Sequence, residues 1–155
     1  MSENRYWLMK SEPDAYSIDD LVRDVVEPWD GIRNYEARNF MRDRMKIGDK
    51  IFFYHSNAKP IAIVGTMEVA SEPYPDALQF DPDSKYFDPK SKESAPRWEL
   101  VDVKFIQKFE NPVTREAMKE EEALQEMLIF KRSRLSITPV TEAEWKKINE
   151  MAGAE

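Results

Sequence analysis

Polar side chains gather at three places in the first third of the chain, each beside aromatic residues. Lys10-Ser11 closes the first apolar run. Trp29 stands just ahead of Arg33-Asn34-Tyr35 and an Arg38-Asn39 pair, and Tyr54-His55-Ser56 ends an aromatic run. A flat nucleobase needs an aromatic face to stack on and a few amide or hydroxyl groups to read its edge. Trp29 and Tyr35 offer the face, Asn34, Asn39 and Ser56 the donors and acceptors, and Lys10 or Arg38 a charge for phosphate. Each also has an ordinary structural explanation. Trp29 covers a core edge, Asn34 caps a helix that starts at Tyr35, Arg38 and Arg42 are exposed helix residues, and His55 is a hydrogen-bonded structural histidine.

Other chemistries find less support. There are no cysteines, which removes disulfides, thiolate metal sites and cysteine nucleophiles. His55 is the single histidine, so a multi-histidine metal site is excluded and a serine triad would have no other base. The four glycines are scattered and form no phosphate-binding loop. Asp19-Asp20 and Glu120-Glu121-Glu122 read as solvated helix faces. An enzyme acting on a small nucleotide would have to use His55, Asp14 or Asp30 as its base.

A hydrophobic fraction of 41% over 155 residues suits one compact domain, and the net charge of −7 argues against a protein that wraps long duplex. No apolar run reaches bilayer length, and the polar start shows no signal-peptide pattern; a cytoplasmic location is the expectation. The elements that must position the polar groups follow from periodicity. Strands are expected over Tyr6 to Met9, Lys50 to Ser56, Ile61 to Val69, Trp98 to Ile106 and Leu135 to Ile137. Helices are expected from the Ser17 cap through Val26, from Tyr35 to Met45, from Thr114 to Phe130, and after a Thr141–Glu144 capping box. Trp7, Trp98 and Trp145 sit in apolar patterns and read as core. Residues 71–97, with five prolines among Tyr74, Phe80, Tyr86 and Phe87, form a long excursion, either functional or packed down by its own aromatics. A mixed α+β chain with a small barrel and flanking helices accommodates this order.

Several of these stretches resemble the EVE family. They are Tyr6-Trp7-Leu8-Met9-Lys10-Ser11-Glu12-Pro13, then Trp29-Asp30-Gly31-Ile32-Arg33-Asn34-Tyr35 with Ala37-Arg38-Asn39, and Gly48-Asp49 with Phe53-Tyr54-His55-Ser56. Ile63-Val64-Gly65, Trp98 to Val103, and Arg134-Leu135-Ser136-Ile137 with Pro139-Val140 continue it in order. The resemblance covers nearly the whole chain. It implies a single PUA-like domain over residues 1–155, a bent β-barrel with flanking helices, related to the YTH domains that clasp a methylated adenine of RNA. It also implies a non-catalytic reader of modified DNA or RNA bases, with methylated or hydroxymethylated cytosine in DNA foremost. On this resemblance the binding set is Lys10 and Ser11 at the rim, Trp29 as cage wall, Asn34, Tyr35 and Asn39 beside it, and Ser56 opposite. Arg33, Arg38 and Arg42 are expected at phosphate. A monomer without cofactor, metal or membrane partner is expected. The rival reading is an RNA-binding module for tRNA or rRNA, drawing on Arg33, Arg38, Arg42, Arg44 and Lys46.

Overall fold

The computed structural model describes residues 5–153. In chain order its elements are β1 (Tyr6–Ser11), α1 (Ile18–Asp24), β2 (Val26–Pro28), α2 (Tyr35–Asn39), β3 (Lys50–His55), β4 (Ala62–Val69), β5 (Tyr74–Pro75) and β6 (Glu99–Leu100). They continue as β7 (Asp102–Thr114), α3 (Arg115–Glu120), α4 (Leu128–Lys131), β8 (Ile137–Val140) and α5 (Glu142–Met151). Six strands make one curled sheet in the order β2-β7-β4-β3-β1-β8, and β5 pairs with β6 apart from it. Among the described residues only β1 and β3 run parallel, so Lys10 lies beside Tyr54 and Ser11 beside His55.

Side chains alternate across a strand, and both faces of this sheet are covered. Trp7, Met9, Ile51 and Phe53 enter one core with Leu21, Trp29 and Met41. Leu8, Phe52 and Ile63 enter the other with Met118, Leu124 and Ile148. Trp145 on α5 is stacked between Tyr6 and Phe52, with centroids 4.8 and 4.1 Å away. The Asp49 carboxylate, nearly inaccessible, accepts from the Trp7 indole, from the Lys46 amide and from the Arg5 amide. This clamps the turn into β3 onto the first strand.

Both capping boxes form, at Ser17 with Asp20 and at Thr141 with Glu144. Five expected elements change their bounds. The first helix stops at Asp24, because Val25 takes a positive φ of 66° and hands the chain to β2 rather than continuing to Val26. The helix from Tyr35 ends in a π turn over Phe40–Arg44, and Met45 is already extended. The strand expected to end at Ile106 runs on as β7 to Thr114; a register shift opposite Ile63 and Gly65 takes up residues 109–112, where Pro112 needs no ladder partner. A Cβ on Gly65 would collide with the Gln107 carbonyl, so this crossing depends on glycine.

The helix expected from Thr114 to Phe130 is instead α3, a 3₁₀ turn over Glu122–Leu124, and α4. Met118, Leu124, Met127 and Ile129 all reach the same core, and gaps of six, three and two residues do not fit one straight helical face. The last expected strand shifts from Leu135 to Ile137–Val140, an edge that tolerates Pro139.

Candidate functional site

A cavity of about 780 Å³ opens where the C-terminal ends of β1, β3 and β7 meet the N-terminal ends of β4 and β8. That size suits a small ligand. Lys10, Ser11, Tyr54 and Ser56 reach it from the parallel strand pair, Arg115 from the end of β7, and Ser133, Arg134 and Ser136 from the approach to β8. The segment after α1 supplies Glu27, Trp29 and Asp30 to the same lining, and Tyr16 joins them.

Trp29 is 6% exposed and still lines the cavity. Phe53 and Tyr16 meet it edge-on, at 5.5 and 6.4 Å, so its ring plane is fixed by packing. Ser11 donates to the Tyr16 carbonyl at 2.6 Å, which ties the strand end to the Tyr16 loop. Gly31 has φ +82°, and a Cβ there would lie 2.9 Å from the Tyr86 ring. Tyr86 therefore rests directly on the Trp29–Gly31 turn, and through it the 71–97 excursion becomes part of the cavity wall.

The sequence-expected set divides. Lys10, Ser11, Trp29 and Ser56 come together in the cavity. Asn34, Tyr35, Asn39, Arg33, Arg38 and Arg42 lie outside its lining. Asn34 caps α2 by accepting from the Ala37 amide, and it borders a smaller cleft of about 280 Å³ that shares Ser133 and Arg134 with the main cavity. Tyr35 is half exposed and stacks on Trp98 at 4.7 Å. Asn39 accepts from both Arg38 and Arg42. Arg33 pairs with buried Asp76 between the Tyr86 and Trp98 rings, Arg42 pairs with Asp43, and Arg38 donates to the Arg97 carbonyl. The arginines expected at phosphate thus have partners within the chain.

His55 is likewise engaged. Its Nε2 accepts the Ile18 amide at 3.1 Å, and burial lowers its pKa, so the neutral ring serves as a cap for α1. Asp14 does not line the cavity, while Asp30 does. Among the described residues no group of three His, Cys, Asp or Glu is placed to hold a metal ion, and no helix is long and apolar enough to cross a membrane.

The cavity's charge is uneven. Burial raises the pKa of Asp30, helped by Asp76, and raises that of Glu27, helped by Asp30. At the strand ends, burial and the nearby Arg115 lower the pKa of Lys10. Tyr54, between them and largely buried, is pushed up by desolvation against the pull of Arg115. Arg115, Arg134, Glu27 and Tyr86 were not in the sequence-derived set. Glu27 is signalled by its spacing, two residues before Trp29 in an extended run. Arg115 carries no such signal, because the strand that delivers it reads as a helix start.

Comparison with known proteins adds the following. A family model for the EVE domain matches residues 5–151. Thymocyte nuclear protein 1 of Mus musculus is 40% identical over 171 aligned residues, covering 98% of this chain and 75% of the mouse protein. The crystal structure of human THYN1 protein in complex with 5-methylcytosine containing DNA has a TM-score of 0.92 at 38% identity, covering 98% of this chain and 99% of that one. A hypothetical protein from Leishmania major has a TM-score of 0.94 at 44% identity, covering 97% of this chain and 96% of that one.

Proposed function

The chain belongs to the EVE domain family, with the PUA-like half-barrel that goes with it, and from that premise we propose that it is a non-catalytic reader of a modified base in nucleic acid. The base enters the cavity beside Trp29 and is recognised there, with methylated cytosine in DNA as the foremost ligand. The observation that carries this reading is a fixed aromatic wall on a cavity of about 780 Å³ that polar side chains also line. The human relative's complex with 5-methylcytosine containing DNA supports the choice of ligand.

Affinity comes from the pocket more than from a broad basic face. The net charge is −7, and Arg33 and Arg42 are neutralised by Asp76 and Asp43. Extruding a base from duplex costs a few kcal/mol, and the cavity contacts must offset it. A reader needs no acid–base pair, and the single histidine is occupied by the Ile18 amide.

Fluorescence polarisation with matched duplexes, carrying one 5-methylcytosine or one cytosine, tests the reading. The methylated duplex is expected to bind about tenfold tighter, a difference of the size one altered base pair produces. Trp29→Phe, which keeps an aromatic ring in the core, is expected to erase most of that preference. Equal affinity at low salt overturns the reading. Tighter binding of structured RNA than of either duplex replaces it with an RNA-binding module.

A further inference from the structure

The cavity carries charges of both signs in two clusters: Glu27 and Asp30 beside Trp29, and Lys10, Arg115 and Arg134 at the strand ends, with Lys85 near the first and Glu12 near the second. Glu27 and Trp29 are two apart in extended chain and share a face, and Asp30 follows directly. Neither carboxylate accepts a hydrogen bond from another side chain among the described residues, whereas neighbouring Asp76 is taken up by Gly31, Arg33 and Leu78. Lys10, Arg115 and Arg134 line the same cavity. None of the three forms an ion pair among the described residues; Arg115 lies by the Tyr54 hydroxyl and over the Phe130 ring. Lys10 instead donates to the Ser133 carbonyl at 3.1 Å and lies over the Tyr54 ring.

We propose that the cavity takes a whole nucleotide in one orientation, with its exocyclic amine against the Glu27–Asp30 wall and its phosphate against Lys10, Arg115 and Arg134. It thereby selects an amino pyrimidine over its oxo counterpart. This rests on the base-reader function above and names the chemistry by which that site chooses. A carboxylate accepts the N4 hydrogens of a cytosine, whereas thymine turns its O4 lone pairs toward the same oxygens. 5-Methylcytosine and thymine carry the same methyl group, so the acidic wall, not the shape of the cavity, tells them apart. The guanidinium groups meet the phosphate with charge-assisted hydrogen bonds.

Isothermal titration calorimetry with 5-methyl-dCMP, 5-methyldeoxycytidine and dTMP separates the two walls. Wild type is expected to bind 5-methyl-dCMP about tenfold tighter than either of the others. Asp30→Asn, whose amide both donates and accepts, is expected to bring 5-methyl-dCMP and dTMP within about twofold while keeping the preference for phosphate. Arg115→Gln is expected to do the converse. Circular dichroism establishes that both variants are folded. Equal wild-type binding of 5-methyl-dCMP and dTMP overturns the proposal, as does loss of both preferences together in either folded variant. The same proteins are titrated with the methylated duplex. Absence of nucleotide binding, beside duplex binding that Trp29→Phe weakens, overturns the polarity and leaves the base-reading function standing. Indifference of duplex binding to Trp29→Phe removes that function itself.

Discussion

The 71–97 excursion and the cavity it borders hold the same kinds of polar side chain and treat them in opposite ways. In the excursion every polar atom of buried Gln79 has a partner. Its oxygen accepts from Ser91 and from the Arg97 and Trp98 amides, and its nitrogen donates to the Asp76 and Trp98 carbonyls. Asp76 and Asp88 complete the set by holding Gly31, Arg33 and the Trp98 indole. In the cavity, Glu27 and Asp30 accept from no other side chain among the described residues, and Arg115 and Arg134 form no ion pair there, Arg115 having only the Tyr54 hydroxyl and the Phe130 ring beside it. A polar group satisfied within the chain stabilises the fold, and one left facing a cavity is available to a ligand. The excursion is therefore scaffold, and its Tyr86 is the point at which scaffold becomes binding wall.

If that division is right, the largest effect of truncation falls on the excursion. Gln79→Ala leaves the Trp98 amide and the Ser91 hydroxyl without their acceptor and takes one donor from each of the Asp76 and Trp98 carbonyls in a buried site, and is expected to cost about 3 kcal/mol in urea unfolding. A cost below about 1 kcal/mol would mean that water replaces the side chain and the network is not scaffold. Next comes the junction. Gly31→Ala combines a positive φ with a collision against Tyr86 and is expected to cost about 2 kcal/mol. Adding Tyr86→Ala removes the collision alone, so the double variant is expected to show a favourable coupling of about 1 kcal/mol over additivity.

His55 gives a smaller, pH-dependent effect on the strand that borders the cavity. Its pKa is lowered in the folded chain, so its contribution is fully present above the unfolded value of about 6.5 and is lost as pH falls below it. Urea midpoints are expected to fall more between about pH 7.5 and 5.5 for wild type than for His55→Gln. The smallest change in stability belongs to the cavity. Arg134→Gln is expected to stay within about 0.5 kcal/mol of wild type while making the salt dependence of DNA binding shallower by about one unit of slope. A large loss of stability there would erase the distinction between the two regions.

Much of this arrangement is legible in the chain, for identifiable reasons. The strands from Tyr6, Lys50 and Ile61 announce themselves as apolar runs, and the two capping boxes mark helix starts at Ser17 and Thr141. Trp29 and the strand-end residues Lys10, Ser11 and Ser56 reach the cavity, since polar groups that interrupt such patterns collect at its mouth. Pairing is not legible. Nothing local says that β1 runs parallel to β3, or that β7 carries a bulge past Pro112 and delivers Arg115 to the same mouth. The role of Gln79 is equally hidden, because its value lies in partners that the fold brings to it from up to 19 residues away. Asn34, Tyr35 and Asn39 read as ligands by residue type, yet their observed partners are the helix that they begin, Trp98 and the neighbouring arginines.

The central claim is that the ligand sits at Trp29. The four indoles, of Trp7, Trp29, Trp98 and Trp145, make it directly observable. Their Nε1–H resonances in nitrogen-15 labelled protein, assigned by single Trp→Phe variants, can be followed as a 5-methylcytosine duplex is added. The Trp29 resonance is expected to move with the ligand, while those of Trp7, bonded to Asp49, and Trp145, stacked on Phe52, hold still. Movement of Trp98 with Trp29 unchanged would place the ligand on the Tyr35 platform and contradict the account.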